Sequence, residues 1–320
     1  MSSIYGRGTI QPSDNFNAER AAAKLRRAMK GIGTDERIVI DILTNHSNDQ
    51  RQEIKAKYQS MYGRDLIEDL RAELGGHFED VCTALLIPKY EYLAECLYRA
   101  VKGAGTDENC IIEILCTHEC WEIKEIRKIF REVYEEDLIK FLCHDLSGDF
   151  KKIIKALANA NREEADKVDD DLAEKEAQKL FDAGVGKSWG TDTEVFLPIL
   201  CSRSYPQLRL TFEAYERISG HCLSAAIENE FEGDVRRVFL AIVYSITDTW
   251  DYFAHQLNEC MSGPGTNDRT LIRILVSRSE IDLEDIKRVF RKTFEKDLTE
   301  AIAEDTSGDY RKILLRIVRN

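Results

Sequence analysis

The chain has 320 residues, of which 43% are hydrophobic, and it carries 58 acidic against 45 basic side chains, a formal net charge of −13. This acidic balance argues against binding to nucleic acid or to an anionic bilayer by direct attraction, so an anionic partner would need a cation as a bridge. With five prolines, 18 glycines and no apolar run near the roughly 18 residues of a membrane span, the sequence predicts a folded, soluble protein.

The N-terminal segment and the cysteines favour the cytoplasm. Residues 1–11 contain one arginine and no apolar stretch, so we expect no secretory signal peptide. The nine cysteines mostly lie in apolar stretches and are predicted to be buried, reduced thiols. Cys116 and Cys120 flank His118, but no second pair follows at zinc-finger spacing, so no zinc site is expected.

A short glycine loop closed by a threonine recurs four times and divides the chain into repeats. The loop threonines are Thr34, Thr106, Thr191 and Thr266. The sequence after each loop stays in register for more than 40 residues. A carboxylate always stands 39 residues after the threonine, and a glycine follows three residues later. The four carboxylates are Glu73, Asp145, Glu230 and Asp305.

The periodicity within a repeat is helical. Ile38, Ile42 and Leu43 illustrate an apolar spacing of three or four residues, and no strand-like alternation is present. A threonine followed by acidic residues, as at 34–36 and 106–108, predicts that the threonine is the N-cap of the next helix. In the first repeat we predict five helices, near 18–30, 35–44, 48–59, 63–73 and 75–87.

The predicted fold class is therefore all-α, with four homologous repeats of five short helices each. We divide the chain into an N-terminal tail, four repeats and one linker. The segment from Asn159 to Leu172 is rich in charged residues and is predicted to be solvated. The tail covers residues 1–15, the linker 161–171, and the repeats 16–87, 88–160, 172–246 and 247–320.

The glycine loop and the distant carboxylate together predict a calcium site in each repeat. A Gly-x-Gly segment leaves its carbonyl oxygens accessible, and these carbonyls follow a helix C-terminus, where the macrodipole is negative. Oxygen donors without histidine or thiolate suit calcium. A simple turn between two helices is the alternative, but it needs no distant carboxylate. The proposed ligands are Met29, Gly31, Gly33 and Glu73; Val101, Gly103, Gly105 and Asp145; Gly186, Ser188, Gly190 and Glu230; and Met261, Gly263, Gly265 and Asp305.

Such a site is expected to be weak in solution, because it has one formal negative charge. Phosphate oxygens of a lipid headgroup can fill the open coordination positions, while the next helix N-terminus offers N–H groups to the same phosphate. Lys30, Lys102 and Lys187 lie inside three of the loops and are predicted to contact headgroups. Trp189, in the third loop, is predicted to enter the membrane interface, with burial in the core as the alternative.

These residues resemble the annexin family. The segments at 29–36 (MKGIGTDE), 63–66 (GRDL), 71–74 (RAEL) and 277–283 (SRSEIDL) are similar to the annexin repeat, and the resemblance covers about residues 16–320. It implies a curved disc of four five-helix repeats with calcium loops on its convex face. It also implies reversible, calcium-dependent docking on acidic phospholipids of the phosphatidylserine type. Secondary calcium sites would involve Thr34, Glu36, Thr106 and Glu108.

Two loops depart from the family pattern. The third is one residue longer and has Ser188 in place of a glycine, so the first carbonyl there is either Gly186 or Gly184. The fourth has Ser262 for the usual lysine, and Pro264 stiffens it without removing its carbonyls. The short tail shows no amphipathic helix, so an EF-hand partner is not expected.

The leading hypothesis is a calcium-dependent membrane-binding protein that is not an enzyme, because no nucleophile and base form a recognisable constellation. A calcium-independent helical scaffold that binds proteins on its concave face stays as the alternative. An ion-conducting assembly is disfavoured because no segment can span a bilayer. No nucleic-acid partner is expected, and self-association on membranes is left open.

Overall fold

The computed structural model describes residues 6–31, 33–103, 105–165, 167–184 and 193–319. Within these ranges the chain forms twenty α-helices and no extended strand, which confirms the predicted all-α class. All five helices predicted for the first repeat are present, and their ends differ from the prediction by at most three residues. These helices are α1 (Ala18–Ala28), α2 (Glu36–Thr44), α3 (Asn48–Tyr62), α4 (Leu66–Glu73) and α5 (Gly76–Leu86).

The other three repeats have the same order of helices. The second repeat contains α6 (Lys89–Val101), α7 (Glu108–Thr117), α8 (Cys120–Tyr134), α9 (Leu138–His144) and α10 (Gly148–Asn159). The third contains α11 (Asp170–Ala183), α12 (Thr193–Ser202), α13 (Tyr205–Ser219), α14 (Leu223–Glu230) and α15 (Gly233–Thr247). The fourth contains α16 (Thr249–Met261), α17 (Asp268–Arg278), α18 (Leu283–Phe294), α19 (Leu298–Asp305) and α20 (Gly308–Arg319).

The prediction that the loop threonine caps the next helix is wrong. The N-cap of α2 is Asp35, whose carboxylate accepts a hydrogen bond from the amide of Ile38 at 3.2 Å. The N-cap of α7 is likewise the residue after the threonine, Asp107, and Asn267 takes this position before α17. The cap therefore lies one residue later than predicted, which leaves the threonine hydroxyl available for another contact.

The chain divides into two compact units, and the first comprises Met1–Tyr92 and Phe253–Asn320. Its core is made by the second and fifth helices of repeats 1 and 4, since α5 and α20 each pack against both α2 and α17. Burying an aliphatic side chain of this kind contributes about 2 kcal/mol. Fully buried residues of these helices are Val39, Leu43, Leu85, Leu271, Leu275 and Leu314.

A buried arginine joins repeat 1 to repeat 4 inside this unit. Arg51 is 2% exposed and donates hydrogen bonds to the carbonyls of Leu85 and Leu43, at 2.6 and 3.0 Å. It also pairs with Glu280 at 2.7 Å, and Glu280 accepts a bond from the amide of Asn48 at the start of α3. Burial lowers the pKa of Arg51, and Glu280 opposes that effect. One carboxylate thus neutralises the arginine and satisfies a helix end.

The second unit comprises Leu93–Tyr252 and contains repeats 2 and 3. It repeats the arrangement of the first, because α10 and α15 each pack against both α7 and α12. Its fully buried residues include Ile111, Ile114, Ile154, Leu200, Val238 and Phe239.

The charged linker between repeats 2 and 3 is anchored as well as solvated. Most of its described residues are exposed, as predicted, but Arg162 is only half-exposed. The Arg162 guanidinium donates to the carbonyls of Arg203 and Leu200 at 2.6 and 2.8 Å, and it lies 4.9 Å from the ring centroid of Tyr205. The linker is therefore fixed to repeat 3 at its beginning.

The prediction of buried, reduced cysteines is confirmed for seven of the nine thiols. Cys96 is half-buried and Cys222 is exposed at the start of α14. Among the described helices, none is both long and apolar enough to cross a membrane.

The third helix of every repeat ends in a left-handed residue at the same position. This residue is Gly63 after α3 and Gly220 after α13, with φ of 64° and 76°. It is Glu135 after α8 and Glu295 after α18, with φ of 57° and 52°. Glycine adopts this conformation without strain, whereas a glutamate does not.

We expect Glu135→Gly and Glu295→Gly each to raise the free energy of unfolding by about 0.5–1 kcal/mol. The left-handed conformation costs an L-residue about 1–2 kcal/mol, and the greater freedom of glycine in the unfolded chain offsets about 0.4–1 kcal/mol of the gain. Urea unfolding midpoints test this, with Gly63→Ala as the matched change that should lower the midpoint. A lower midpoint for either glutamate variant would contradict the assignment of strain.

Asp69 is the centre of a buried polar cluster in repeat 1. It is 6% exposed and accepts hydrogen bonds from Arg64 Nε at 2.8 Å and from the Tyr58 hydroxyl at 2.6 Å. The bonds from Arg64 hold the pKa of Asp69 below its usual value, with further help from Tyr58 and Arg26. Burial, followed by the bond to Asp69, raises the pKa of Tyr58 to about 12.

We expect Asp69→Asn to lower the free energy of unfolding by about 3 kcal/mol at neutral pH, because it leaves buried donors without their charged acceptor. The lowered pKa means that the contribution of Asp69 is present above pH ~4 and is lost as the pH falls through the folded-state pKa. Thermal unfolding of wild type and variant between pH 7 and 2 should therefore converge at the acid end. Glu53→Gln, at an exposed site on α3, should change stability by less than about 0.5 kcal/mol.

Candidate metal centres

The glycine loops of repeats 1, 2 and 4, in which Ile32 and Ala104 lie outside the described residues, share one backbone closure. In repeat 1 the amide of Asp35 donates to the carbonyl of Ala28 at 2.9 Å, seven residues earlier. The corresponding bonds run from Asp107 to Ala100 and from Asn267 to Cys260, both at 2.8 Å. Each loop therefore begins at a helix C-terminus and returns its chain to that helix. The carbonyls of Met29, Val101 and Met261 lie at these helix ends, where the macrodipole is negative.

The loops need glycine because of their backbone conformation, and not because a neighbouring atom leaves no room for a side chain. Gly31 and Gly33 have φ of 126° and 83°, and Gly103 and Gly105 have φ of 156° and 100°. These values are strained for any residue with a Cβ. A Cβ built on any of them meets no atom within 4 Å. The space beside the loop backbone is thus open to a ligand.

The carboxylate 39 residues away reaches the loop in repeats 1 and 4. The Thr34 hydroxyl donates to Glu73 Oε2 at 3.4 Å. The Thr266 hydroxyl lies 2.5 Å from Asp305 Oδ2 and 3.1 Å from the Asp305 carbonyl. Glu73 and Asp305 are the last residues of α4 and α19. The fold therefore brings together the two parts of the predicted site.

Repeat 2 differs at this point. Helix α9 ends at His144, so Asp145 lies just beyond the helix as its C-cap, with φ −98° and ψ 0°. The Asp145 carboxylate contacts His144 Nδ1 at 2.6 Å, and no hydrogen bond joins it to Thr106, although both residues are described. A cleft of about 540 Å³ lies beside this carboxylate and is lined by Val101, Lys102, Glu136, Asp137, Lys140, Phe141, His144 and Asp145.

Most of the predicted third site lies outside the described residues. This applies to Gly186, Lys187, Ser188, Trp189, Gly190 and Thr191. Glu230 is described and forms the end of α14, the position that Glu73 and Asp305 take in their repeats. Gly184 is the C-cap of α11, and its amide donates to the Leu180 carbonyl at 3.1 Å.

The other predicted contact residues surround the described loops. Lys30 and Lys102 are exposed, and the Lys102 ammonium lies 5.7 Å from the ring centroids of both Tyr98 and Phe141. Glu36 and Glu108, predicted for secondary sites, are the first residues of α2 and α7.

The donor set fits calcium. The loops of repeats 1, 2 and 4 supply backbone carbonyl oxygens, and each has one carboxylate at or beside it, which are the hard oxygen ligands that calcium prefers. Within the described ranges there is no cluster of three or more histidine, cysteine or acidic side chains that would hold a metal without backbone help. Open space beside the loop glycines leaves room for an ion and for further ligands.

Two features of these centres escaped the sequence interpretation. The first is the threonine hydroxyl as a partner of the carboxylate, which the constant spacing of 39 residues already related to it. The second is His144 as the partner of Asp145. The sequence shows a histidine next to a predicted ligand, but it does not show that the imidazole contacts the carboxylate of that ligand.

Comparison with known proteins identifies the family. The model of the Annexin family matches residues 20–85, 92–157, 175–242 and 252–317. Human annexin A7 is 45% identical over 311 residues, which cover 97% of this chain and 64% of annexin A7, so the chain spans less than two thirds of that relative.

Solved structures agree over the whole chain. The structure of annexin III has a TM-score of 0.95 and 42% identity, covering 100% of this chain and 99% of that one. Calcium-bound annexin (Sm)1 has a TM-score of 0.87 and 33% identity, covering 99% and 93%. The resemblance seen in the repeats is thereby confirmed, and the chain belongs to the annexin family, a family of calcium-dependent phospholipid-binding proteins.

Proposed function

We propose that this protein binds acidic phospholipid membranes reversibly and only when calcium is present. The observation that supports this most directly is the hydrogen bond between a loop threonine and a carboxylate 39 residues away, which occurs in repeats 1 and 4. A turn between two helices needs no such contact. A site that collects oxygen ligands for a hard cation does need the two parts together.

Each repeat would hold its ion with three loop carbonyls and both oxygens of the distal carboxylate. These five oxygens are fewer than the six to eight that calcium takes, so one or two positions stay open. The ligands proposed are Met29, Gly31, Gly33 and Glu73; Val101, Gly103, Gly105 and Asp145; Gly186, Ser188, Gly190 and Glu230; and Met261, Gly263, Gly265 and Asp305.

The charge of the protein makes membrane binding conditional on the ion. With a formal charge of −13, the chain is repelled by an anionic bilayer. Four calcium ions would add eight positive charges at the loops and reduce the formal charge to −5. Since each site has a single carboxylate, its affinity for calcium in free solution is low, and lipid phosphate oxygens in the open positions would raise it. By linkage, calcium and the membrane then increase each other's affinity by the same factor.

Residues around the loops would contact the headgroups directly. Helices α2, α7 and α17 begin directly after the loops, and their first N–H groups are suited to bind phosphate. Lys30 and Lys102 are exposed in the loops that precede α2 and α7 and would add ionic contacts. Thr34 with Glu36, and Thr106 with Glu108, would supply the secondary calcium sites.

We also propose the broader assignments drawn from the sequence. These are a cytoplasmic location with peripheral attachment when calcium rises, a binding role without catalysis, and a division into tail, four repeats and linker at the predicted boundaries. Within the second unit, the anchoring of the linker by Arg162 is compatible with that division.

Removal of the four distal carboxylates should abolish calcium-dependent binding. We expect the wild type to sediment with phosphatidylserine–phosphatidylcholine vesicles in calcium and to stay in solution with a chelator. The variant Glu73→Gln, Asp145→Asn, Glu230→Gln and Asp305→Asn should need at least about tenfold more calcium for half-maximal binding, a difference of about 1.4 kcal/mol.

A matched control variant separates the effect of losing the sites from the effect of changing the net charge. Glu53, Glu132, Glu213 and Glu216 are exposed on third helices, and changing all four to glutamine alters the formal charge by the same amount. This control should need no more calcium than the wild type. If the carboxylate variant bound like the wild type, the ligand assignment would be wrong, and equal binding with and without calcium would favour the helical scaffold.

Trp189 should report on contact between the third loop and the membrane. Its fluorescence should shift to shorter wavelength when vesicles and calcium are added together, because the indole enters the interface. Trp189→Phe removes this signal and leaves Trp121 and Trp250 as an internal reference. A tryptophan already buried in the core would show no shift.

A further inference from the structure

We propose that the calcium sites are unequal, and that Thr34 and Thr266 are the positioning residues that make them so. In repeats 1 and 4 the threonine hydroxyl contacts the distal carboxylate before the ion arrives, at 3.4 and 2.5 Å, whereas the carboxylate of repeat 2 is paired with His144 beside its loop. The sites of repeats 1 and 4 therefore take up calcium at lower concentrations than the site of repeat 2. This inference rests on the proposed function and adds an order of filling to it.

The positioned carboxylates share a backbone geometry. Glu73 and Asp305 close their helices, and the residues that follow them, Leu74 and Thr306, are extended with ψ of 171° and 169°. The amides of these two residues donate to the carbonyls four residues earlier, at 2.8 and 3.1 Å, so the helix is intact up to the ligand. The carboxylate thus extends from a fixed helix end towards the threonine of its loop.

Repeat 2 lacks both parts of this arrangement. Helix α9 has seven residues, against eight in α4 and α19, and Asp145 lies beyond its end in a helical rather than an extended conformation. His144 Nδ1 lies 2.6 Å from Asp145 Oδ1, and the two side chains are 84% and 48% exposed. Asp145 is thus ordered by a neighbour in its own segment and not by the threonine of its loop.

The threonine contact is compatible with metal binding. An ionised carboxylate has about four lone-pair sites, and one hydroxyl donor occupies a single one of them. Both oxygens can therefore still ligate an ion while the hydrogen bond persists. A side chain that is already ordered loses less conformational entropy on binding than a mobile one, which is the usual source of gain from preorganisation.

Single-carboxylate variants test the order of filling. The full-length variants Glu73→Gln, Asp145→Asn and Asp305→Asn are each titrated with calcium in the presence of phosphatidylserine–phosphatidylcholine vesicles. We expect the changes at Glu73 and Asp305 to raise the calcium concentration at half-maximal sedimentation at least about threefold, and the change at Asp145 to raise it less than about twofold. An increase for Asp145→Asn as large as for the other two would overturn the inference and leave the proposed function intact. No increase for any of them would contradict both.

Threonine variants test the positioning role without lipid. The readout is the calcium concentration that gives half of the maximal rise in unfolding temperature, which depends on binding to the folded state alone. The double change Thr34→Val and Thr266→Val should raise this concentration about threefold to tenfold. The double change to serine keeps the hydroxyls and should restore it to within about twofold. Thr106→Val, the matched change in the repeat without the contact, should have a smaller effect than Thr266→Val.

The direction in which the valine variant changes the calcium requirement distinguishes positioning of the carboxylate from competition for it. If the hydroxyl competed with calcium for the carboxylate, the valine variant would need less calcium than the wild type. That result would overturn the positioning role of the two threonines. An unchanged calcium requirement in both the serine and the valine variants would overturn it as well.

Discussion

The contact between a loop threonine and a carboxylate 39 residues later is the constraint on which the proposed metal centres of repeats 1 and 4 depend. The two side chains are not neighbours along the chain, because two complete helices lie between them. In repeat 1, the end of α1 and the end of α4 are brought together by packing of α1 on α3 and of α4 on α5. The proposed ligands of repeat 1 are therefore positioned by the hydrophobic core that packs these helices, and a packing defect in that core would displace the loop and Glu73 relative to each other.

The sequence was sufficient for the helices and the repeats, and it related the loops of repeats 1 and 4 to the acids that contact them, because these features leave periodic signals. It was insufficient for the role of Thr34. Threonine and aspartate are both good N-caps, so the segment 34–36 offers two candidates for one position, and the preference scale cannot decide between neighbours. Asp35 takes the cap, and only the position of Glu73 in three dimensions shows what the Thr34 hydroxyl does instead.

Differences between repeats are equally hard to predict, since a repeat pattern describes what its copies share. Arg51, Asp69 and His144 occupy positions at which the other repeats have different residues, so the pattern gives no expectation for them. Arg51 and Asp69 are buried and affect stability, one through Glu280 and the other through Arg64. His144 lies at the surface and instead contacts the carboxylate of Asp145, a proposed ligand. A single residue that differs between repeats thus distinguishes the proposed site of repeat 2 from those of repeats 1 and 4.

The proposed use of backbone carbonyls for most ligands follows from the proposed function of the site. A cluster of several carboxylates would bind calcium tightly in solution, and its uptake would then no longer depend on a membrane. One carboxylate with a few carbonyls leaves affinity low and coordination positions open, so that lipid oxygens can supply the remaining free energy. The glycines keep those carbonyls uncovered, since a side chain at Gly31 or Gly103 would require a strained backbone. Under the proposed function, preorganisation by a neutral threonine would raise the affinity for calcium without adding negative charge, which favours the approach of a protein of net charge −13 to an anionic surface.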